Sequence, residues 1–317
     1  MTPHKIALAG NPNVGKSTVF NTLTGMNQHT GNWPGKTVEN AFGTTTFHDQ
    51  QYTIYDLPGT YSLISHSEEE KIARDFICFE EYDAIIVVCD AVCLERNLNL
   101  ALQILEITNK VIICVNLLDE AKKKKINIDI NKLSEQLGVP VVGTSARENI
   151  GIKELMQEVE NLTLGKTIPN SINITYPKEL EHAKQIILKE LKHHSYNCNK
   201  PWIALKLLDD DTTIINSINH HYPNQNTKKR KDKIKKAQQY LLNKNITTED
   251  IKEITVNTLV SKAEEIAKET IHFEKQDYNK KDRQIDKLLT NKWTGIPIML
   301  LMLMGIFWIT IEGANIP

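Results

Sequence analysis

Gly10-Asn11-Pro12-Asn13-Val14-Gly15-Lys16-Ser17 decides the fold. The spacing is G-x-x-x-x-G-K-[ST], that of a phosphate-binding loop. Before it, Lys5-Ile6-Ala7-Leu8-Ala9 reads as a short buried strand. After it, Ser17-Thr18-Val19-Phe20-Asn21-Thr22-Leu23 reads as a helix. The two glycines permit backbone shapes that a β-carbon would block. N–H groups can then converge on phosphate oxygens at a helix N-terminus, where the dipole favours anions. Lys16 is expected to reach the β- and γ-phosphates and Ser17 to ligate Mg2+. Residues 10–18, through Thr18, are expected to line the nucleotide.

Working outward, residues 1–165 alternate apolar strands with helical patterns, the mark of an α/β fold with a mainly parallel sheet. Six strands are expected. Phe42–His48 and Tyr52–Asp56 form an antiparallel edge pair. Ala84–Cys89 and Val111–Asn116 are continuous apolar runs, as for strands covered on both faces. Val139–Gly143 comes last. Asn27 to Asn40, rich in Gly, Asn, Pro and Thr, reads as a loop. Helices are expected over Glu68–Phe79, Glu95–Thr108, Asn131–Leu137 and Ile150–Leu162.

Ligands in such sheets bind beyond the C-terminal ends of the strands. The remaining candidates fall there. Asp56-Leu57-Pro58-Gly59 ends the third strand. Asp56 is expected to hold Mg2+ through water, and the Gly59 N–H to meet the γ-phosphate. Asn116-Leu117-Leu118-Asp119 ends the fifth. The Asp119 carboxylate can accept from guanine N1–H and the N2 amino group. Adenine offers neither donor, so the wrong base leaves a buried carboxylate unpaired. Ser145-Ala146-Arg147 follows the sixth strand, where the Ala146 N–H is placed for guanine O6. These elements, in this order, resemble a Ras-like small GTPase domain. Leu117 stands where many such proteins carry Lys. Thr60 follows Gly59, where they carry the Gln that orients attacking water. Slow hydrolysis is therefore expected, on the order of 10⁻² s⁻¹ or less.

The 317 residues carry a net charge of −1 with a pI of about 6.8, so nothing global points to nucleic acid. The five cysteines, 78, 89, 93, 114 and 198, lack CxxC spacing and read as reduced thiols. Residues 166–280 thin out in glycine and strand-like runs. Ala183, Ile187 and Leu191 keep a helical stripe, as do Leu259, Ala263, Ile266 and Thr270. Thr247-Thr248-Glu249-Asp250 looks like a helix start. A small helical domain is expected. Lys228 to Lys236 is the sharpest charge run and reads as a solvated helix face, with anionic lipid the alternative. The pairs His193-His194 and His220-His221 read as surface residues, and no iron site is legible. Residues 281–317 end in WTGIPIMLLMLMGIFWITI, Trp293 to Ile311, 19 residues without a charge. That suits a membrane helix over about 293–313. Arg283, Lys287 and Lys292 precede it and Glu312 follows, which puts residues 1–290 in the cytoplasm. The chain reads as truncated soon after this run.

The particular wording narrows the family. Gly31-Asn32-Trp33-Pro34-Gly35-Lys36-Thr37-Val38-Glu39, then Asp56-Leu57-Pro58-Gly59-Thr60-Tyr61-Ser62-Leu63, then Asn116-Leu117-Leu118-Asp119, resemble the FeoB family of bacterial ferrous iron transport proteins. The resemblance spans the chain and is most specific over residues 5–120. It implies that Thr37 closes on Mg2+ and the γ-phosphate. By residue type alone Thr30 and Thr44 stay open. It implies that Asn13 helps coordinate K+, against a local loop hydrogen bond. It implies that residues 166–280 slow nucleotide release, with Trp202–Leu208 a looser match. It further implies a bacterial inner-membrane protein that binds GTP and GDP and transports Fe2+. The rest of its pore, a small Feo accessory protein and a homo-oligomer would be its partners. The alternative is a soluble GTPase of RNA modification or ribosome assembly. Those share N-P-N-x-G-K-S loops but usually carry an RNA-binding module, and the Trp293–Ile311 run discriminates against them.

Overall fold

Alternating apolar strands and amphipathic helices give a twisted sheet with helices on both faces. The structure is a computed structural model describing residues 3–25, 28–32, 39–64, 67–192, 195–225, 227–273 and 292–313. The strands are β1 His4–Gly10, β2 Gln28–Asn32, β3 Glu39–Phe47, β4 Gln50–Asp56, β5 Ala84–Asp90, β6 Val111–Asn116, β7 Ile126–Ile128, β8 Val141–Gly143 and β9 Ile271–Phe273. The main sheet runs β2-β3-β4-β1-β5-β6-β8, and β7 and β9 form a two-stranded sheet. From β4 to β8 every pairing is parallel, while β2–β3 and β3–β4 are antiparallel. The sheet has seven strands rather than the expected six. The seventh is β2, inside the stretch read as a loop. Its residues lack an apolar alternation, and its strand form comes from pairing with β3, Gln28 against Gly43 through Asn32 against Glu39.

The helices of this part are α1 Lys16–Thr24, α2 Glu68–Phe79, α3 Leu94–Ile107, α4 Leu118–Lys123, α5 Ile130–Leu137 and α6 Ile152–Thr163. One face of the sheet, with Ile6, Leu8, Ile86, Val88, Ile112 and Cys114, packs on α1 and α6. The other, with Ala7, Ala9, Ile85, Val87, Ile113 and Val115, packs on α2 and α3. β5 and β6 are therefore buried almost throughout. This is why they read as continuous apolar runs.

Residues 178–270 supply α7 Lys178–Leu191, α8 Lys200–Leu208, α9 Thr212–His221, α10 Lys228–Leu242 and α11 Thr248–Thr270. Both expected stripes are buried. Thr247 caps α11 reciprocally with Asp250. The apolar core under α2 and α3 continues without a break into Leu180, Ile187, Trp202, Ile203, Leu207, Leu259 and Ile266. Polar bonds stitch the same seam. The Asn199 N–H donates to Ile107 O at 2.7 Å, and the Tyr176 hydroxyl to Glu106 Oε1 at 2.8 Å. Burial pushes the Glu106 carboxyl above its ordinary range, and the Tyr176 hydroxyl bond pulls the other way.

Four cysteines are buried and Cys93 is exposed, all as free thiols. His220 and His221 are exposed, and the His221 ring stacks on Phe79 at 4.2 Å. His193 and His194 lie outside the described residues. Among the described residues no three His, Cys, Asp or Glu gather as a metal site.

The chain divides into two compact units, Met1–His272 and Phe273–Pro317. The second contains one described helix, α12 Lys292–Gly313, with Pro297 inside it. Residues 296–308 are its longest run of described side chains. Among the described residues no helix is long and apolar enough to cross a membrane. The expectation for 293–313 rests partly on side chains outside that set.

Arg74 on α2 is buried at 2% exposure. It donates to Asp75 Oδ1 from Nε and Nη2, at 2.9 and 2.8 Å, and to Thr213 Oγ1 on α9 from Nη1 at 3.2 Å. The Ser217 hydroxyl returns to Asp75 Oδ2 at 3.2 Å. Arg74→Ala is expected to cost about 2 kcal/mol by removing charge-assisted bonds and leaving a cavity. The measurement is a urea titration, and an unchanged midpoint would show that this clasp carries no stability.

Candidate functional site

The loop between β1 and α1 is shaped by close approaches. A β-carbon at Gly10 would lie 2.7 Å from the Val88 carbonyl. Gly15 has φ +80°, and a β-carbon there would lie 2.5 Å from Asn116 Nδ2. Asn13 also adopts a left-handed φ of 66° and is exposed. Gly15 begins α1 without a side-chain cap, and the first turn holds no acid. Elsewhere the described helices α2, α5, α9, α10 and α11 each have a side chain accepting from the first turn. The first N–H groups of α1 are thus left without a side-chain acceptor, at the end where the dipole attracts anions.

Lys16 and Asp56 meet in this site through Nζ and Oδ1. Both side chains are mostly buried, at 11% and 16% exposure. Burial raises the Asp56 carboxyl above its ordinary range, and the Lys16 ammonium opposes that shift. Ser17 and Thr18 stand at the start of α1, both exposed. Leu57 is buried, and its N–H donates to Leu8 O at 2.9 Å. Pro58 and Gly59 follow, with Gly59 packed on the Pro12 backbone. The Thr60 N–H donates to Gly10 O at 3.2 Å, and Thr60 itself is buried. This turn is therefore seated directly on the phosphate loop. Thr37 lies outside the described residues. Thr30 and Thr44 are in β2 and β3.

Asn116 joins the two halves of the site. It is 1% exposed. Its Nδ2 donates to Val14 O at 3.1 Å, and its Oδ1 accepts from Thr144 Oγ1 and the Ala146 N–H, both at 3.1 Å. The Ala146 N–H expected to serve guanine O6 thus points at Asn116. Leu117 takes a left-handed φ of 64° at the start of α4. That turn sets Asp119 beside Ser145, whose hydroxyl accepts from the Asp119 N–H at 3.1 Å. The Asp119 carboxylate keeps 23% exposure and has Lys123 Nζ at 3.6 Å. Arg147 is exposed in the next loop.

Three contributors carry too little pattern to stand out in the sequence. Thr144, fully buried, braces Asn116, and a lone threonine after a strand has no signature. Gln103 on α3 accepts from the Leu63 N–H at 2.7 Å and the Ser62 hydroxyl at 3.1 Å. Its signal is a polar residue on an otherwise apolar helix face, LALQILEI. Arg96 lies 4.4 Å over the Tyr61 ring and holds the same segment.

Ferrous iron transport protein B describes the match of residues 4–159, and the FeoB cytosolic helical domain that of residues 176–272. The Fe(2+) transporter FeoB of Staphylococcus aureus (strain MSSA476) is 32% identical over 98% of this chain and 45% of its own length. That of Legionella pneumophila (strain Lens) is 35% identical over 97% of this chain and 39% of its own. The chain thus spans less than half the length of these curated relatives. Among solved structures, the cytosolic domain of the T. maritima FeoB iron transporter in a GDP form is 31% identical. The match covers 86% of this chain and 99% of that one, with a TM-score of 0.70. An S. thermophilus NFeoB N11A mutant bound to mGDP is 32% identical, covering 85% and 100%, with a TM-score of 0.73. Seven strands, a phosphate loop braced by Asn116 and a helical domain fused under α2 and α3 fit that company, and the chain belongs to the ferrous iron transport protein B family.

Proposed function

We propose that this chain is the GTP-binding and GTP-hydrolysing regulatory region of a bacterial Fe2+ membrane transporter. One observation carries the nucleotide assignment. Asn116 ties the phosphate loop, through Val14, to the loop that seats Asp119 and Ser145. A phosphate site and a base site are thereby fixed at one spacing. Asp119 is the specificity residue in this reading, pairing with the two guanine donors that adenine lacks. The T. maritima relative's GDP and GMPPNP forms support nucleotide binding at such a site.

Residues 10–18, together with Asp56, Leu57, Pro58, Gly59, Asn116, Leu117, Asp119, Ser145, Ala146 and Arg147, contact nucleotide in this reading. Lys16 and the N-terminus of α1 hold the phosphates, and Gly59 donates its N–H to the γ-phosphate. Ser17 and Asp56 offer the hard oxygen donors that Mg2+ prefers, and Thr37 would join them. Bound there, Mg2+ would neutralise charge developing on the phosphates. Thr60 supplies no amide side chain to orient water, so intrinsic turnover is slow. Asn13, exposed at the loop's outer rim, is the residue proposed for K+. The nucleotide state passes from the Asp56–Thr60 turn into α2, and from α2 through Arg74 and Asp75 into α9.

The membrane part begins with α12. Its 22 residues reach ~33 Å at about 1.5 Å each. Met299 to Met304 are all exposed and apolar. By the lysine and arginine bias, residues 1–290 are cytoplasmic. One helix encloses no ion path.

Asp119→Asn should move binding from guanine toward xanthine nucleotides. Competition titration reads this, and retained guanine preference would refute the base assignment. Replacing K+ by Na+ should slow GTP hydrolysis, while equal rates would leave Asn13 with a local structural role. In liposomes holding the full-length protein, Lys16→Ala should reduce Fe2+ uptake. Unchanged uptake by a folded variant that no longer binds nucleotide would sink the coupling.

A further inference from the structure

We propose that the exposed face of α10 docks on anionic lipid headgroups. The helix reads KKRKDKIKKAQQYLL from Lys228 to Leu242. Its buried residues, Arg230, Ala237 and Leu241, mark the face turned inward. At about 3.6 residues per turn, Lys228, Lys231, Lys235 and Leu242 fall on one stripe of the outward arc, and Lys229 and Lys236 lie on its other flank, beyond Asp232. Lys228, Lys229, Lys231, Lys235, Lys236 and Leu242 are all exposed, Leu242 showing 52% of its surface. Asp232 is the acid on this arc. The neighbouring helix α7 contributes buried Glu190, which pairs with Lys229 at 2.8 Å. Among the described residues the other lysines of the stripe have no ion pair.

A chain with net charge −1 thus concentrates unneutralised positive charge on one helix face and ends that face in an exposed leucine. A membrane surface matches this chemistry. Lysines near an anionic leaflet each contribute about 1 kcal/mol, and an apolar side chain can enter the headgroup boundary. The proposal rests on the reading of α12 as a membrane helix, because the tether keeps the effective lipid concentration high. Docking would hold the GTPase unit at the bilayer.

The test uses residues 1–273. These include the compact unit Met1–His272, and comparable cytosolic domains of relatives crystallise alone. The probe is sedimentation with vesicles of one part phosphatidylglycerol to two parts phosphatidylcholine at low salt. Wild type should bind these and not pure phosphatidylcholine, and release in ~1 M salt, where charges are screened within about 3 Å. The triple variant Lys231→Glu, Lys235→Glu, Lys236→Glu should bind about 100-fold more weakly, three lysines at ~1 kcal/mol each. A variant of equal net charge, Lys153→Glu, Lys178→Glu, Lys252→Glu, should bind within a few-fold of wild type. Equal losses in both variants, no binding by wild type, or a preference for duplex RNA over vesicles would each overturn the proposal. Alkaline extraction of the full chain from membranes tests α12 separately, so failure of the tether and failure of the docking face are told apart.

Discussion

The Asn116 side chain is the constraint on which the rest of the site depends. A carboxamide has two donors and an acceptor oxygen with two lone pairs. Nδ2 donates to Val14, and Oδ1 accepts from Thr144 and Ala146. A buried amide with its hydrogen bonds made is stable, and one with them broken costs about 1–3 kcal/mol. The loop it braces has little freedom left. Gly15 is glycine because the amide nitrogen occupies the place of its β-carbon. The left-handed turn at Leu117 follows directly, and it sets Asp119 against Ser145. The phosphate loop and the Asp119–Ser145 pair are therefore positioned by one side chain, and distortion of either is transmitted to the other.

The chemistry is legible where residue type is forced. Gly10, Gly15, Lys16 and Ser17 can be little else if backbone N–H groups are to reach phosphates. Asp56 and Asp119 stand at strand ends, where the topology must deliver ligand contacts. Strands β5 and β6 are legible because burial on both faces permits only apolar residues. β2 is not, since Gln28-His29-Thr30-Gly31-Asn32 has no apolar period and owes its shape to β3. The clasp between α2 and α9 is also hidden. Adjacent Arg74 and Asp75 look like any solvated pair, and only tertiary structure reveals that Arg74 is buried. Spacing assigns the Ala146 N–H a direct contact to base, whereas in this structure it is held by Asn116.

Segments after the phosphate loop are secured unequally. The Asp56–Thr60 turn is pinned to Gly10, and Ser62 and Leu63 are pinned to Gln103 on α3. Helix α2 begins with a capping box at Ser67 and Glu70, so its start is set by its own sequence. Its interior is then bound to α9. A displacement at Gly59 thus meets a stiff element whose far side already belongs to the helical domain.

The shared core has a consequence for how the molecule comes apart. By its sequence the chain reads as parting near residue 165, but the apolar volume beneath α2 and α3 runs on into α7, α8 and α11. Cutting there would bare that face of the GTPase domain to water. The two parts should melt in a single transition, and amides on α3 should exchange no faster than those on α8. Within residues 1–272 modularity belongs to the sequence motifs, while the apolar core is shared.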